Sequence, residues 1–286
     1  MTQIFFSVSL CASLCNSVFP PMLPLFQLPD YPLQFWLAAV VTAVLIGISK
    51  AGFGGGPGVI ATPLLSLVMP VPEAAALLLP ILLLADVFAV RHYYNQVDAP
   101  NLRAVLPWAL LGIGLGALFF RQFSDQERVL ELGIGLIALG FVLYQAVRSR
   151  ILQVVGEKRP SLLTAALLGT TSGFTSTLAH VGGPPMMIYL LPQKLPRNLF
   201  VGTTAVFFFI VNLVKLIPYA LLGLLAVGNL TVTLVLLPVL WLGTRLGVWL
   251  NQRVSELWFN RVLYVILVLV SLQLILDRSL VSLLFG

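Results

Sequence analysis

Eight times along this chain an apolar run of about 20 residues is bounded by charges, glycines or prolines, the length a helix needs to cross roughly 30 Å of hydrocarbon. Lipid offers no partner to backbone N–H and C=O groups, so such runs are expected to be helices. The spacing places them at 33–51, 73–91, 102–120, 128–147, 161–180, 198–220, 230–250 and 259–277. Two further apolar stretches, 57–69 and 186–191, are too short to span, and each follows a Gly/Pro cluster. They read as half-helices. The expected fold is an all-α integral membrane protein.

Composition agrees. With 59% hydrophobic and 9% charged residues among 286, and a mean hydropathy of +1.02, the apolar surface exceeds what a water-soluble domain of this length can hide. The net charge of +6 is carried by arginines placed singly at the ends of apolar runs, which fits positive-inside topology and not nucleic-acid binding. Cys11 and Cys15 suggest neither a disulfide framework nor a metal site. No nucleotide-binding motif occurs, no cofactor is implied, and the bilayer is the expected surroundings. A homodimer is compatible with the sequence, though nothing in it argues for one. Residues 1–30 form a leader of uncertain structure: the run from Ile4 to Phe19 is apolar but lacks the basic flank of a signal peptide and stops at Pro20 and Pro21.

The two halves repeat in order. Gly55-Gly56-Pro57 recurs as Gly182-Gly183-Pro184, 127 residues on (182 − 55). Leu106-Pro107 with Gly112, Leu115 and Gly116 recurs as Leu237-Pro238 with Gly243, Leu246 and Gly247, 131 on (237 − 106). Arg128-Val129-Leu130 recurs as Arg261-Val262-Leu263, 133 on (261 − 128), and Pro72 and Arg91 match Pro196 and Lys215 at 124 (196 − 72). Duplication is expected, with a first transmembrane repeat at 31–147, a polar cytoplasmic linker at 148–160 and a second repeat at 161–286. Loop 91–103 carries Arg91 and Arg103 whereas its counterpart near 221–229 is uncharged, which favours inverted repeats with loops 91–103 and 148–159 in the cytoplasm.

Three constellations could carry chemistry. Ser49-Lys50-Ala51-Gly52-Phe53-Gly54-Gly55-Gly56-Pro57-Gly58 can unwind a helix at membrane depth. The amides of Gly54, Gly55, Gly56 and Gly58 would then face an anion, although close helix packing also uses such residues. Its counterpart, from Ser172 to Pro185, replaces glycines with hydroxyls and an imidazole. Ser172, Ser176 and His180 share one helical face, ending at Gly182 and Gly183. They either line a polar path or bond back to carbonyls while His180 caps the helix. The third set is the ionisable residues inside apolar helices, Lys50, Asp86, Lys215 and, nearer an end, Arg245. Each costs at least about 2.5 kcal/mol at mid-bilayer. Asn212, one turn before Lys215, could help grip an oxyanion. Asp86 either pairs with Lys50 or exchanges a proton, and Arg245 can snorkel to the interface.

In this order, Ser49-Lys50-Ala51-Gly52, Leu79-Pro80 through Asp86-Val87, Gly182-Gly183-Pro184 followed by Tyr189-Leu190-Leu191, and Gly202-Thr203-Thr204-Ala205 through Asn212 and Lys215-Leu216 resemble the sulfite exporter TauE/SafE family over about residues 33 to 280. The resemblance implies a multi-pass inner-membrane transporter, not an enzyme, built from two repeats and moving small anions such as sulfite, sulfoacetate or related sulfonates. The chain departs from it at His180-Val181, where a small amide residue is expected before the second Gly-Gly-Pro.

The leading expectation is therefore an anion transporter working by alternating access. The substrate would lie between the two breaks, with Lys50, Lys215, Asn212, Ser176, His180 and the glycine amides around it. The rival is an intramembrane hydrolase with Ser172 or Ser176 as nucleophile and His180 as base. A cation or proton channel is disfavoured by the two lysines and the scarcity of deep acids.

Overall fold

The computed structural model describes residues 31–52, 59–123, 125–155, 160–225, 227–253 and 256–276. Gly54, Gly55, Gly56, Gly58 and the leader 1–30 lie outside the described residues.

The described residues form helices joined by short turns, with no strand among them. They are α1 (Leu33–Gly52), α2 (Ala61–Leu65), α3 (Val71–Tyr93), α4 (Ala99–Phe123), α5 (Glu127–Val155), α6 (Leu162–Ala179), α7 (Gly183–Leu190), α8 (Arg197–Leu221), α9 (Val227–Arg253) and α10 (Glu256–Leu276). Proline sets several starts: Pro70 precedes α3, Pro196 precedes α8, and Pro184 lies in the first turn of α7, where its missing N–H has no intrahelical partner to lose. Ser161 caps α6 by accepting a bond from the Thr164 amide at 3.2 Å.

Among the described residues, six helices are long and apolar enough to cross a membrane: α1, α3, α4, α5, α8 and α9. The apolar stretch of α10 is shorter, Leu263–Leu276, and α6 carries a row of hydroxyls. The half-helices are present but shifted. The first is confined to Ala61–Leu65, and the second begins at Gly183, not 186. Helix α5 continues to Val155, through most of the stretch read as a polar linker. No breaker interrupts 148–155, and charged residues do not stop a helix that has left the hydrocarbon.

Helix packing follows the glycines. A Cβ on Gly173 would stand 2.0 Å from the Ala109 carbonyl oxygen, and one on Gly112 would stand 2.1 Å from that of Thr170, so α4 and α6 touch backbone to backbone. Gly243 meets Val44 and Gly247 meets Ile48 in the same manner, each with a virtual Cβ 2.7 Å from a carbonyl oxygen, which joins α9 to α1. Both seams are parallel: residue numbers rise together along each pair. By contrast α3 and α8 run antiparallel, since Asp86 meets Asn212 while Asp98, just beyond α3, meets Thr203 near the start of α8. Helices α5 and α10 also oppose each other, with Arg128 on the last carbonyls of α10 and Gln145 on Tyr264. Helices α3 and α8 pack along each other, and the ends of α1 and α6 meet them through Lys50 on Asp86 and Ser176 on Lys215.

Candidate functional site

Helix α6 ends in a left-handed residue. His180 has φ 55° and ψ 26°, its amide donates to the Ser176 carbonyl at 3.0 Å, and the Val181 amide donates to Thr175 at 3.2 Å. The 5→1 bond from the left-handed residue makes this an αL cap, with histidine where glycine is usual, at a cost of about 1 kcal/mol. Such a conformation persists when its surroundings hold it. Here the ring is held at both nitrogens: Nε2 lies 2.8 Å from the Ala75 carbonyl of α3, and Nδ1 lies 2.7 Å from Nζ of Lys215 on α8. The carbonyl can only accept, so Nε2 carries the proton, and Nδ1 accepts from Lys215.

Lys215 is 0% exposed. Its ammonium has three donors, and the contacts are three: the Ser176 carbonyl at 2.9 Å, Ser176 Oγ at 3.1 Å and His180 Nδ1. All three acceptors are neutral. No carboxylate lies within ion-pair distance of it among the described residues. A buried charge without a counter-ion is costly.

The other lysine is differently placed. Lys50, at the end of α1, forms an ion pair with Oδ1 of Asp86 on α3, and Asn212 Nδ2 donates to Oδ2 of the same carboxylate at 2.5 Å. Asp86 is 1% exposed and both its oxygens are used. The expected ion pair is therefore present. The Asn212 amide, expected beside Lys215, is turned to Asp86. Asn212 still links the two centres, because it lies one helical turn from Lys215 on α8. The Lys50 side chain retains 17% accessibility while the Asp86 side chain retains 2%, so the pair is open only from the lysine side.

The hydroxyls divide. Ser176 serves Lys215. Ser172 Oγ donates forward to the Gly182 carbonyl at 2.7 Å and so clamps the break, while Thr175 and Thr177 bond back one turn to Thr171 and Gly173. The back-bonding expected for this face is made by its neighbours Thr175 and Thr177, while Ser172 bonds forward. The expected serine–histidine arrangement is not formed: His180 spends both nitrogens on Lys215 and Ala75, and Ser172 spends its hydroxyl on Gly182, so neither serine has the imidazole as its base.

Gly182 packs against Ser172 and Ser176, and Gly183 opens α7. Pro184 and Pro185 remove two of the first-turn N–H donors, so the amide of Gly183 is the leading donor at this helix end. Arg91, matched to Lys215 in the sequence register, is exposed. Arg245 is exposed too, its guanidinium 5.0 Å from the Trp241 ring on the outer face of α9.

Two residues that the sequence did not single out brace the break. Tyr219 OH donates to the Thr177 carbonyl at 2.6 Å, and Thr62 Oγ1 of α2 donates to that of Ala179 at 2.7 Å. Tyr219 lies one turn beyond Lys215 on the same face, a signal that spacing alone could have supplied. Thr62 had none.

A family model described as sulfite exporter TauE/SafE matches residues 39–274, most of the chain. No curated protein and no solved structure matches.

Proposed function

Because the chain belongs to the sulfite exporter TauE/SafE family, a family of membrane transporters and not of enzymes, we propose that it is a secondary transporter of small sulfur oxyanions, sulfite or organosulfonates, working by alternating access. The substrate binds between the two helix breaks. Lys215 supplies the receiving charge, and Ser176, His180 and the amides of Gly182 and Gly183 orient the anion. Lys50 adds charge from the first break, held in reserve by Asp86 and Asn212.

The observation that carries this reading is the ammonium of Lys215, fully buried and surrounded by neutral acceptors. An entering oxyanion gives it the counter-charge it lacks and can exchange places with the Ser176 hydroxyl or His180. The antiparallel pairing of α3 with α8 and of α5 with α10 supports two inverted repeats, since helices in corresponding positions of the halves then run in opposite directions. On this reading the protein lies in the cell inner membrane with loops 91–103 and 148–159 in the cytoplasm, and the halves divide at the polar segment 148–160.

The test is flux of radiolabelled sulfite, and separately of a small sulfonate, in proteoliposomes holding the purified protein at two internal pH values. Saturable flux is expected in the wild type. Lys215→Met, inserted to the same level, is expected to lose about 100-fold, the scale of removing one partner from a buried charged contact. Wild-type flux in Lys215→Met would end the assignment.

A further inference from the structure

Among the described residues, two buried side-chain oxygens have no hydrogen-bond partner: Thr42 Oγ1 and Ser49 Oγ, both on α1. Ser49 is 0% exposed. A buried hydroxyl left unpaired costs about 1–3 kcal/mol, and such groups in folded proteins are nearly always satisfied by protein, water or ligand. A serine in a helix has an easy remedy, the carbonyl one turn back, and Ser66, Thr171, Thr203, Thr204, Thr244 and Ser271 all use it here. Ser49 does not.

Its position is telling. Ser49 directly precedes Lys50, whose ammonium meets Asp86, which in turn meets Asn212 one turn from Lys215. In the register that sets Gly55-Gly56-Pro57 against Gly182-Gly183-Pro184, Ser49 falls opposite Ser176, since 176 − 49 is also 127. Ser176 is the hydroxyl that faces Lys215 at 3.1 Å. Each Gly-Gly-Pro in the sequence is thus preceded at the same distance by a buried serine: Ser176 is engaged with Lys215, and Ser49, the residue before Lys50, has no partner.

We infer that Ser49 is a substrate-binding residue, its hydroxyl donating a hydrogen bond to one oxygen of the bound sulfur oxyanion from the first half of the chain. The inference rests on the proposed transport function and deepens it. A pyramidal or tetrahedral oxyanion has several oxygens to satisfy, and the two serines approach it from opposite halves. The bond forms only when the anion is present, which is why the hydroxyl has no partner without one.

The experiment compares Ser49→Ala, Ser49→Thr and Thr42→Val with the wild type, by thermal unfolding in detergent with and without sulfite and by sulfite flux in proteoliposomes. Removing an unpaired buried hydroxyl does not weaken the free protein, so Ser49→Ala is expected to keep or raise the Tm without sulfite. It is expected to raise the KM for sulfite about tenfold, the weight of one hydrogen bond to a charged group, and to lose most of the sulfite-induced rise in Tm. Ser49→Thr, which keeps the hydroxyl, is expected to restore KM toward the wild type. Thr42→Val, about 10 Å away along the helix, is expected to leave KM unchanged. A Ser49→Ala variant with unchanged KM, or one whose loss is matched by a lowered Tm without sulfite, overturns the inference. If Lys215→Met transports normally in the same assay, the transport reading itself fails. If Lys215→Met is inactive while Ser49→Ala is wild type, only the role of Ser49 fails.

Discussion

The ends of α1 and α6 meet the same pair of helices, α3 and α8, yet the lysines there are treated in opposite ways. At the first, Lys50 is matched by the carboxylate of Asp86 and steadied by Asn212. At the second, Lys215 is more deeply buried and has only Ser176 and His180, neutral acceptors that balance its hydrogen bonds but not its charge. Under the proposed function the difference separates two jobs that a single lysine would have to combine: Lys50 is balanced without substrate, and Lys215 only with it.

The largest effect that probes this contrast is expected at Asp86. Asp86→Asn strands Lys50 and should lower stability by about 3 kcal/mol, as breaking a buried pair does, whereas Lys50→Met with Asp86→Leu should recover most of the Tm. Under the proposal the double variant regains its fold but not full sulfite flux. Wild-type flux in it would assign the Lys50–Asp86 pair to structure alone and leave the charge of the site to Lys215.

A smaller effect is expected at His180. His180→Gly relieves the left-handed backbone but deprives Lys215 of an acceptor, so unfolding should shift by no more than about 1 kcal/mol while flux falls about tenfold. His180→Ala keeps the strain and loses the same bond, and should melt below His180→Gly. If the two variants melt together, the left-handed conformation at 180 is not what sets the break.

Ser172→Ala should have the smallest consequence, a loss of about 1 kcal/mol from the missing bond to the Gly182 carbonyl, with flux close to the wild type. A large loss of flux at unchanged Tm would move Ser172 from bracing the break to touching the substrate.

Much of this was legible in the chain because lipid narrows the choices. An apolar run of spanning length in a bilayer must be a helix, so α1, α3, α4, α5, α8 and α9 could be drawn from hydropathy and breakers. The duplicated LPxxxxGxxLG pattern marked Gly112, Gly116, Gly243 and Gly247, which prove to be where backbones touch. Charges stranded in apolar helices pointed to Lys50, Asp86 and Lys215 for the same reason of cost. Partner choice was not legible. Asn212 and Lys215 share a face on α8, but which neighbour each meets depends on how α3 and α6 approach from either side, and no local spacing records that. The end of α5 was misplaced because charge marks where hydrocarbon stops, not where a helix stops.

The parallel seams bear on how the molecule is made. Of the described helices α1 is made before the others, and the surface that receives its Val44 and Ile48 belongs to α9, seven helices after α2. Helix α4, by comparison, meets α6 soon after both are synthesised. During synthesis, which proceeds from the N-terminus, α1 is made well before α9, so a chain stopped before α9 would hold both lysines and still lack the surface against which Val44 and Ile48 pack.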